Sequence, residues 1–335
     1  MWCRKSGKTS RNNTVQLVYN MLILTYTGGN DGFGAQFERI LGIYAICLEL
    51  GINYYHSPLT SIGNQGILAL QKRSLTSGFV QECNNKIFLA STVDISTFEE
   101  LESRDQMCGE YLTYESLQAL KDECDKKAFN LLYRIHSPYT FTHINPRIFR
   151  HTIGKHLYHV TIPRNKIFTI GIHFRRGDLA FNRLHKHRIL PINFYLDVAK
   201  KVSLLCQNHD LPFQIELYGE SATESFIVSG NIDGVVNLGK RQHKVVPIDE
   251  ELEMFNVLPN LRKFINESAF ETFDRMVNCD ILVTSLSSFS TCACYLKTGI
   301  AIHYGNYPHV LPRDLVYTDS DFESRLEQFI KTLKS

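Results

Sequence analysis

The feature that most constrains this chain is a rhythm. Short apolar strands alternate with glycine- or serine-rich turns and amphipathic helices. Residues 21–27 form a short β-prone run, followed by Gly28-Gly29-Asn30-Asp31-Gly32-Phe33-Gly34. Phe37, Ile40, Leu41, Tyr44 and Leu48 then recur at helical spacing, and Gly51 offers a C-terminal cap. Residues 52–56 read as the next strand. Strand, glycine turn, helix, strand is the opening of an α/β domain. Helical patches are predicted at 98–105 and 114–132. After a junction at 158–166 the rhythm restarts. Strands are predicted at 167–174, 212–218, 281–284 and 300–304, and helices at 192–206, 267–278, 288–297 and 323–333. The pattern predicts two successive α/β units with a cleft between them. The divisions are a disordered basic arm over 1–20, a first unit over 21–163 and a second over 164–335.

Bulk properties narrow the function. Of 335 residues, 44% are apolar and 21% charged, enough to bury a core and too little charge for a disordered chain. Lys and Arg number 36 against 34 Asp and Glu. So balanced a chain has no overall field to drive it onto nucleic acid or an anionic membrane. No run approaches the ~20 apolar residues of a membrane span. Residues 1–20 carry Arg4, Lys5, Lys8 and Arg11 and lack the apolar segment of a signal peptide. Nine cysteines without a CxxC pair read as buried free thiols in a reduced compartment. A soluble cytoplasmic protein is therefore expected. The sequons at Asn12 and Asn266 keep a secretory lumen as the alternative.

His173-Phe174-Arg175-Arg176-Gly177-Asp178 is the most informative tract. An apolar strand ends there in two arginines. Ligands of open α/β sheets bind beyond the carboxyl ends of strands, and a guanidinium offers a fork of donors that matches a phosphate. Gly177 would permit close backbone approach, and Asp178 could steady an arginine. A salt-bridged surface turn is the competing reading. Ser285-Leu286-Ser287-Ser288-Phe289-Ser290 follows a strand and opens a helix. Its hydroxyls and free amides suit an anion, or simply cap the helix. The 28–34 turn lacks both GxGxxG and GxxxxGK[ST], so it marks either close backbone approach to a ligand or a tight turn.

Two metal signals dissolve on inspection. Asp319-Ser320-Asp321 has DxD spacing but precedes the last helix, as an N-cap would. His185-Lys186-His187 lacks a carboxylate or cysteine partner and reads as a basic loop. With Arg183 and Arg188, Lys186 could form a positive rim beside the arginine tract. No nucleophile triad can be assembled from spacing alone.

Together these tracts resemble the α1,2/α1,6-fucosyltransferase and protein O-fucosyltransferase superfamily. The H-x-R-R-x-D motif is matched in full by His173 to Asp178. Gly32-Phe33-Gly34-Ala35-Gln36-Phe37-Glu38-Arg39 resembles the N-terminal G-x-G-N-Q-type loop, with Ala35 where asparagine or aspartate is common. Residues 280–290 resemble the strand, serine loop and helix of the C-terminal motif. The likeness covers about a fifth of the chain.

The resemblance implies a GT-B-like fold, two Rossmann-type domains facing a cleft. It implies an inverting, metal-independent transfer of fucose from GDP-fucose to a glycan hydroxyl, with no cofactor beyond the donor. Arg175 would grip the β-phosphate, assisted by Arg176 and shaped by His173. Gly32, Gly34, Ser287, Ser288, Phe289 and Ser290 would line the donor site, and Glu271 would accept from the guanine edge. Asp178 and Glu220 are the candidate bases, with Arg175 the catalytic cation. Another nucleotide sugar on the same scaffold, or a binding protein without turnover, remains open. The acceptor and the oligomeric state are not legible.

Overall fold

A computed structural model describes residues 21–29, 32–62, 76–87, 95–96, 98–102, 114–135, 157–176, 187–220, 226–229, 242–245, 249–305 and 313–333. The first unit contains β1 (Leu22–Tyr26), α1 (Phe33–Leu50), β2 (Asn53–Tyr54), α2 (Thr76–Lys86), β3 (Glu99–Glu102), α3 (Tyr114–Lys127) and β4 (Leu131–Ile135). Its sheet is parallel, in the order β2-β1-β4-β3. β1 is buried throughout, as a central strand covered on both faces must be. α1 ends where Gly51 turns left-handed at φ 64°, its N–H bonded to the Cys47 carbonyl. Only glycine adopts that conformation without a steric cost.

The second unit contains β5 (Phe168–Phe174), α4 (Ile192–Asn208), β6 (Phe213–Gly219), β7 (Phe226–Ser229), β8 (Gln242–Val245) and α5 (Asp249–Glu253). A 3-10 turn at Met254–Val257 leads to β9 (Leu261–Ile265), α6 (Ala269–Asn278) and β10 (Ile281–Val283). The chain then forms α7 (Ser288–Leu296), β11 (Ile300–His303), β12 (Leu315–Val316) and α8 (Phe322–Thr332). Six strands make a parallel sheet, ordered β12-β11-β10-β5-β6-β9, and β7 pairs β8 antiparallel. The chain leaves β5 for β6 and β9 on one side, then returns to β10, β11 and β12 on the other. The strand order therefore reverses between β5 and β10. The expected pair of α/β units is present.

The structure corrects the reading of the middle of the chain. Residues 99–102 are a strand, not part of a helix, and the helix expected to run to 132 stops at Lys127. Ala128 takes φ 58° there, and the Phe129 N–H reaches back to the Cys124 carbonyl. That is a Schellman-type stop built without glycine. β4 follows at once and pairs β1 along its whole length.

The units do not keep separate cores. Phe33 and Phe37 of α1 pack with Phe270 and Phe273 of α6 and with Tyr158, in one buried cluster that includes Cys292 and Tyr295 of α7. A buried ion pair reinforces the join. Lys86 Nζ of α2 lies 2.9 Å from Asp274 Oδ2 of α6, which also accepts from the Thr161 amide at 2.8 Å and its hydroxyl at 2.7 Å. Asp274 is 0% exposed. Burial pushes its carboxyl upward, but the bonds from Lys86 and Thr161 prevail and hold it below the usual range.

The seven described cysteines, Cys47, Cys83, Cys124, Cys206, Cys279, Cys292 and Cys294, are free and buried, as expected. No helix among the described residues is long and apolar enough to cross a membrane. The arm at 1–20 lies outside the described residues.

Candidate functional site

The reversal between β5 and β10 sets the location. In open α/β sheets the crevice at such a switch point, beyond the carboxyl ends of the strands, is where ligands bind. β5 ends at Phe174, so Arg175 and Arg176 stand at its carboxyl end. Val283 of β10 pairs Ile172 of β5, so Thr284 and Ser285 emerge beside them. The loop that follows enters α7 with Ser287 as N-cap, its Oγ accepting the Phe289 N–H at 3.3 Å.

Strand alternation then sorts the tract into two faces. His173 and Arg175 point toward the serine loop. His173 Nδ1 and Ser285 Oγ share a hydrogen bond of 2.7 Å, and Arg175 Nη1 donates to Ser287 Oγ at 2.7 Å. Burial, and then the charge of Arg175, lower the His173 imidazole to about 3, so it is neutral at ordinary pH. Phe174 and Arg176 point the other way. Arg176 is 4% exposed and stacks its guanidinium over the Phe174 ring at 4.1 Å. It binds Glu251 of α5 through both carboxylate oxygens, at 2.6 and 3.0 Å. The adjacent arginines thus have different surroundings, one at the helix amino end and one in a bidentate ion pair.

Other predicted residues are also placed. Glu220 follows Gly219, the partner of Phe174, so it stands at the carboxyl end of the neighbouring strand. Glu271 is exposed in the first turn of α6, its amide capped by Ser268 Oγ at 3.1 Å. Ser290 is buried and donates to the Ser285 and Ser287 carbonyls, both at 3.1 Å, which fixes the loop. The Phe289 ring joins the aromatic cluster, 5.2 Å from Phe273 and 5.7 Å from His173. Gly32 is the N-cap of α1. Gly177 and Asp178 lie outside the described residues, as do Arg183, His185 and Lys186. Asp321 caps α8 by position, without a side-chain bond.

Gly34 permits a close approach of backbone to backbone. A Cβ there would sit 2.5 Å from the Phe289 amide nitrogen and 2.6 Å from its Cα. The glycine lets the amino ends of α1 and α7 touch, and Cys292 Sγ donates to the Gly34 carbonyl at 3.3 Å. Glu38, one turn further along α1, is buried, and burial raises its carboxyl against the lowering influence of Ser288, Arg39 and Arg188. Arg188 borders the same loop, its Nε donating to the Leu286 carbonyl at 3.0 Å. Glu38 and Glu251 had no assigned role in the sequence reading; Glu38 stood inside the quoted glycine motif, and Glu251 carried no signal.

No protein-family model matches the chain. No curated protein matches it in sequence. Solved structures do match its fold. An arginine-to-lysine variant of Arabidopsis thaliana FUT1 in complex with GDP is 12% identical, with a TM-score of 0.42, over 87% of this chain and 72% of that one. POFUT1 in complex with GDP-fucose is 10% identical, with a TM-score of 0.41, over 90% of this chain and 99% of that one. The E. coli ADP-heptose LPS heptosyltransferase II is 11% identical, with a TM-score of 0.37, over 93% and 98% of the two chains. These likenesses are distant; what the site can do follows from its own geometry.

Proposed function

We propose that the chain is a nucleotide-sugar glycosyltransferase whose donor diphosphate binds at the β5–β10 switch point. The observation that carries the reading is the bond from Arg175 to Ser287 at the amino end of α7. It gathers a cation, two serine hydroxyls and the amino end of a helix at the position where open sheets bind ligands. A leaving nucleoside diphosphate develops charge on its β-phosphate, and preorganised donors of this kind stabilise it without reorganising. Neutral His173 holds Ser285, and Arg176 braces the strand end through Glu251.

The H-x-R-R-x-D and serine-loop tracts favour GDP-fucose as donor. In an inverting transfer the acceptor oxygen attacks the anomeric carbon as its bond to the β-phosphate breaks. The acceptor proton passes to a carboxylate, Asp178 or Glu220, and GDP departs with the electron pair. Glu271 would read the guanine edge, and a glycan would enter from the first unit. On this reading donor and acceptor would meet from opposite units.

A thermal-shift panel of nucleotide sugars tests this, because any ligand of the native state raises its apparent stability. GDP-fucose should shift the midpoint more than UDP-sugars, and EDTA should leave transfer intact. A response to UDP-sugars alone would sink the donor assignment, and a strict divalent-metal requirement would sink the metal-free mechanism.

A further inference from the structure

β10 is three residues long, Ile281–Val283, and it delivers the serine loop. So short a strand is held by few ladder bonds, and side chains at its end decide where the loop sits. Val283 pairs Ile172 of β5 on one side and Ile302 of β11 on the other. The next residue of each strand therefore falls in one row across the sheet: His173, Thr284 and His303. Side chains in such a row lie on the same face. His173 takes the Ser285 hydroxyl, as described above. His303 takes the hydroxyl before it, its Nδ1 lying 3.0 Å from Thr284 Oγ1. Consecutive hydroxyls at the exit of β10 are thus held from opposite sides, one by β5 and one by β11.

Behind His303 stands Asp314. Its Oδ2 lies 3.3 Å from His303 Nε2, and its Oδ1 accepts the Ala301 amide at 2.9 Å. Arg313 Nε is 3.6 Å from the same Oδ1. β12 is two residues long, so this carboxylate also ties it to β11. An ionised carboxylate only accepts, so Nε2 carries the proton, and in the neutral ring Nδ1 accepts from the Thr284 hydroxyl. The Ile302 carbonyl is that hydroxyl's other acceptor, at 3.3 Å. Carboxylate, imidazole, hydroxyl is the order of a nucleophile triad. Yet Thr284 and His303 are 3% exposed and Asp314 2%, too buried for a substrate to touch. The network can act on a ligand only through the loop it holds.

We propose that Asp314 and His303 are positioning residues of the diphosphate site: through Thr284 they fix the exit of β10, so that Ser287 meets Arg175 at the amino end of α7. The inference rests on the donor reading above and adds to that site two residues from the strands on the side away from β5. A preorganised loop receives an anion without first having to be ordered. Freeing the loop therefore weakens anion binding in a protein that is still folded.

The test is calorimetric titration of the full chain with GDP, beside the unfolding midpoint of each variant. Thr284→Val removes the hydroxyl and keeps the shape. GDP affinity should fall about five- to tenfold, the equivalent of one buried hydrogen bond. Thr284→Ser, which keeps the hydroxyl, should recover most of that loss. A network serving stability alone would lower the midpoint of Thr284→Val and leave the affinity of the folded protein at the wild-type value. That result overturns the inference while the donor reading stands. A double-mutant cycle checks the route. In the Ser287→Ala background Thr284→Val should cost clearly less than it does alone, because both changes loosen the same contact. Additive losses overturn the inference. Should Thr284→Val not fold, His303→Gln cuts the same bond, because its amide stands in for Nε2 and reaches Asp314 but not Thr284. The same two measurements then decide. A wild type that binds no GDP overturns the donor reading, and the inference with it.

Discussion

The exit loops of β1 and β10 stand at equivalent points of the two sheets, yet they use their polar groups in opposite ways. After β1, the Gly29 N–H donates to Gln36 Oε1 at 3.2 Å, Gln36 Nε2 donates to the Ser61 carbonyl at 2.9 Å, and Ser61 Oγ returns to the Gly29 carbonyl at 3.1 Å. Arg39 turns inward to the Tyr26 hydroxyl at 3.2 Å. The loop closes on itself. After β10, the serine loop receives groups from outside: Arg175, His173 and Arg188 from the β5 side. Both loops feed a helix amino end, and the two ends meet at Gly34 and Phe289. In the second unit the neighbouring strand ends in Arg175, which reaches the serine loop; in the first unit the described loop serves as a packing joint.

Changes on either side of this joint should separate the two roles. The largest effect is expected from Arg175→Ala, which removes the cation while leaving the strand. GDP affinity should fall by about 100-fold or more, since charge-assisted bonds to phosphate are the strong ones. The thermal midpoint without ligand should stay near wild type. A variant binding GDP within a few-fold of wild type would refute the phosphate clamp.

Asp274→Ala should come next, read in stability. It leaves Lys86 buried without its partner, a loss of about 3–5 kcal/mol by denaturant titration. The pH dependence has a definite sign. The folded Asp274 carboxyl lies below its unfolded value, so its contribution is complete above about pH 4 and lost as pH falls through the folded value. The gap between wild type and variant should narrow in acid. A constant gap would show that the ion pair does not carry the effect.

Gly34→Ala should cost about 1–3 kcal/mol, because the new methyl group meets backbone rather than a flexible side-chain end. An unchanged unfolding midpoint would mean that α1 and α7 separate freely, contrary to the joint described above. Ser268→Ala, which removes the cap of α6, should cost about 1 kcal/mol. A neutral result there would assign the helix start to packing by Phe270 and Phe273.

Much of the fold was legible, and the misses have physical causes. The start of α1 and its stop at Gly51, and the cores of β5, β6, β10 and β11, follow from apolar periodicity and a glycine cap. β4 was hidden because Ala128 ends α3 in a left-handed turn that glycine usually marks. β9 escaped because it is an edge strand of mixed burial, with no clean alternation. β3 reads Glu99-Glu100-Leu101-Glu102, a run with little strand propensity, and it is a strand through pairing with β4. The site divides similarly. Arg175 and Ser287 could be singled out because each stands at a strand end or helix start. The commitment of Arg176 could not, because Glu251 lies 75 residues further along the chain.

The sequence by itself determined the units of structure: where strands end, which turns need glycine, and which serines can cap. Those are decided within a few residues, by backbone hydrogen bonds and steric limits. Only the tertiary structure decided that β10 lies beside β5, that Arg175 faces the serine loop while Arg176 faces Glu251, and that α1 meets α7 at Gly34. Those choices depend on which surfaces pack together across 75 residues or more of chain, and local periodicity carries no record of the partner.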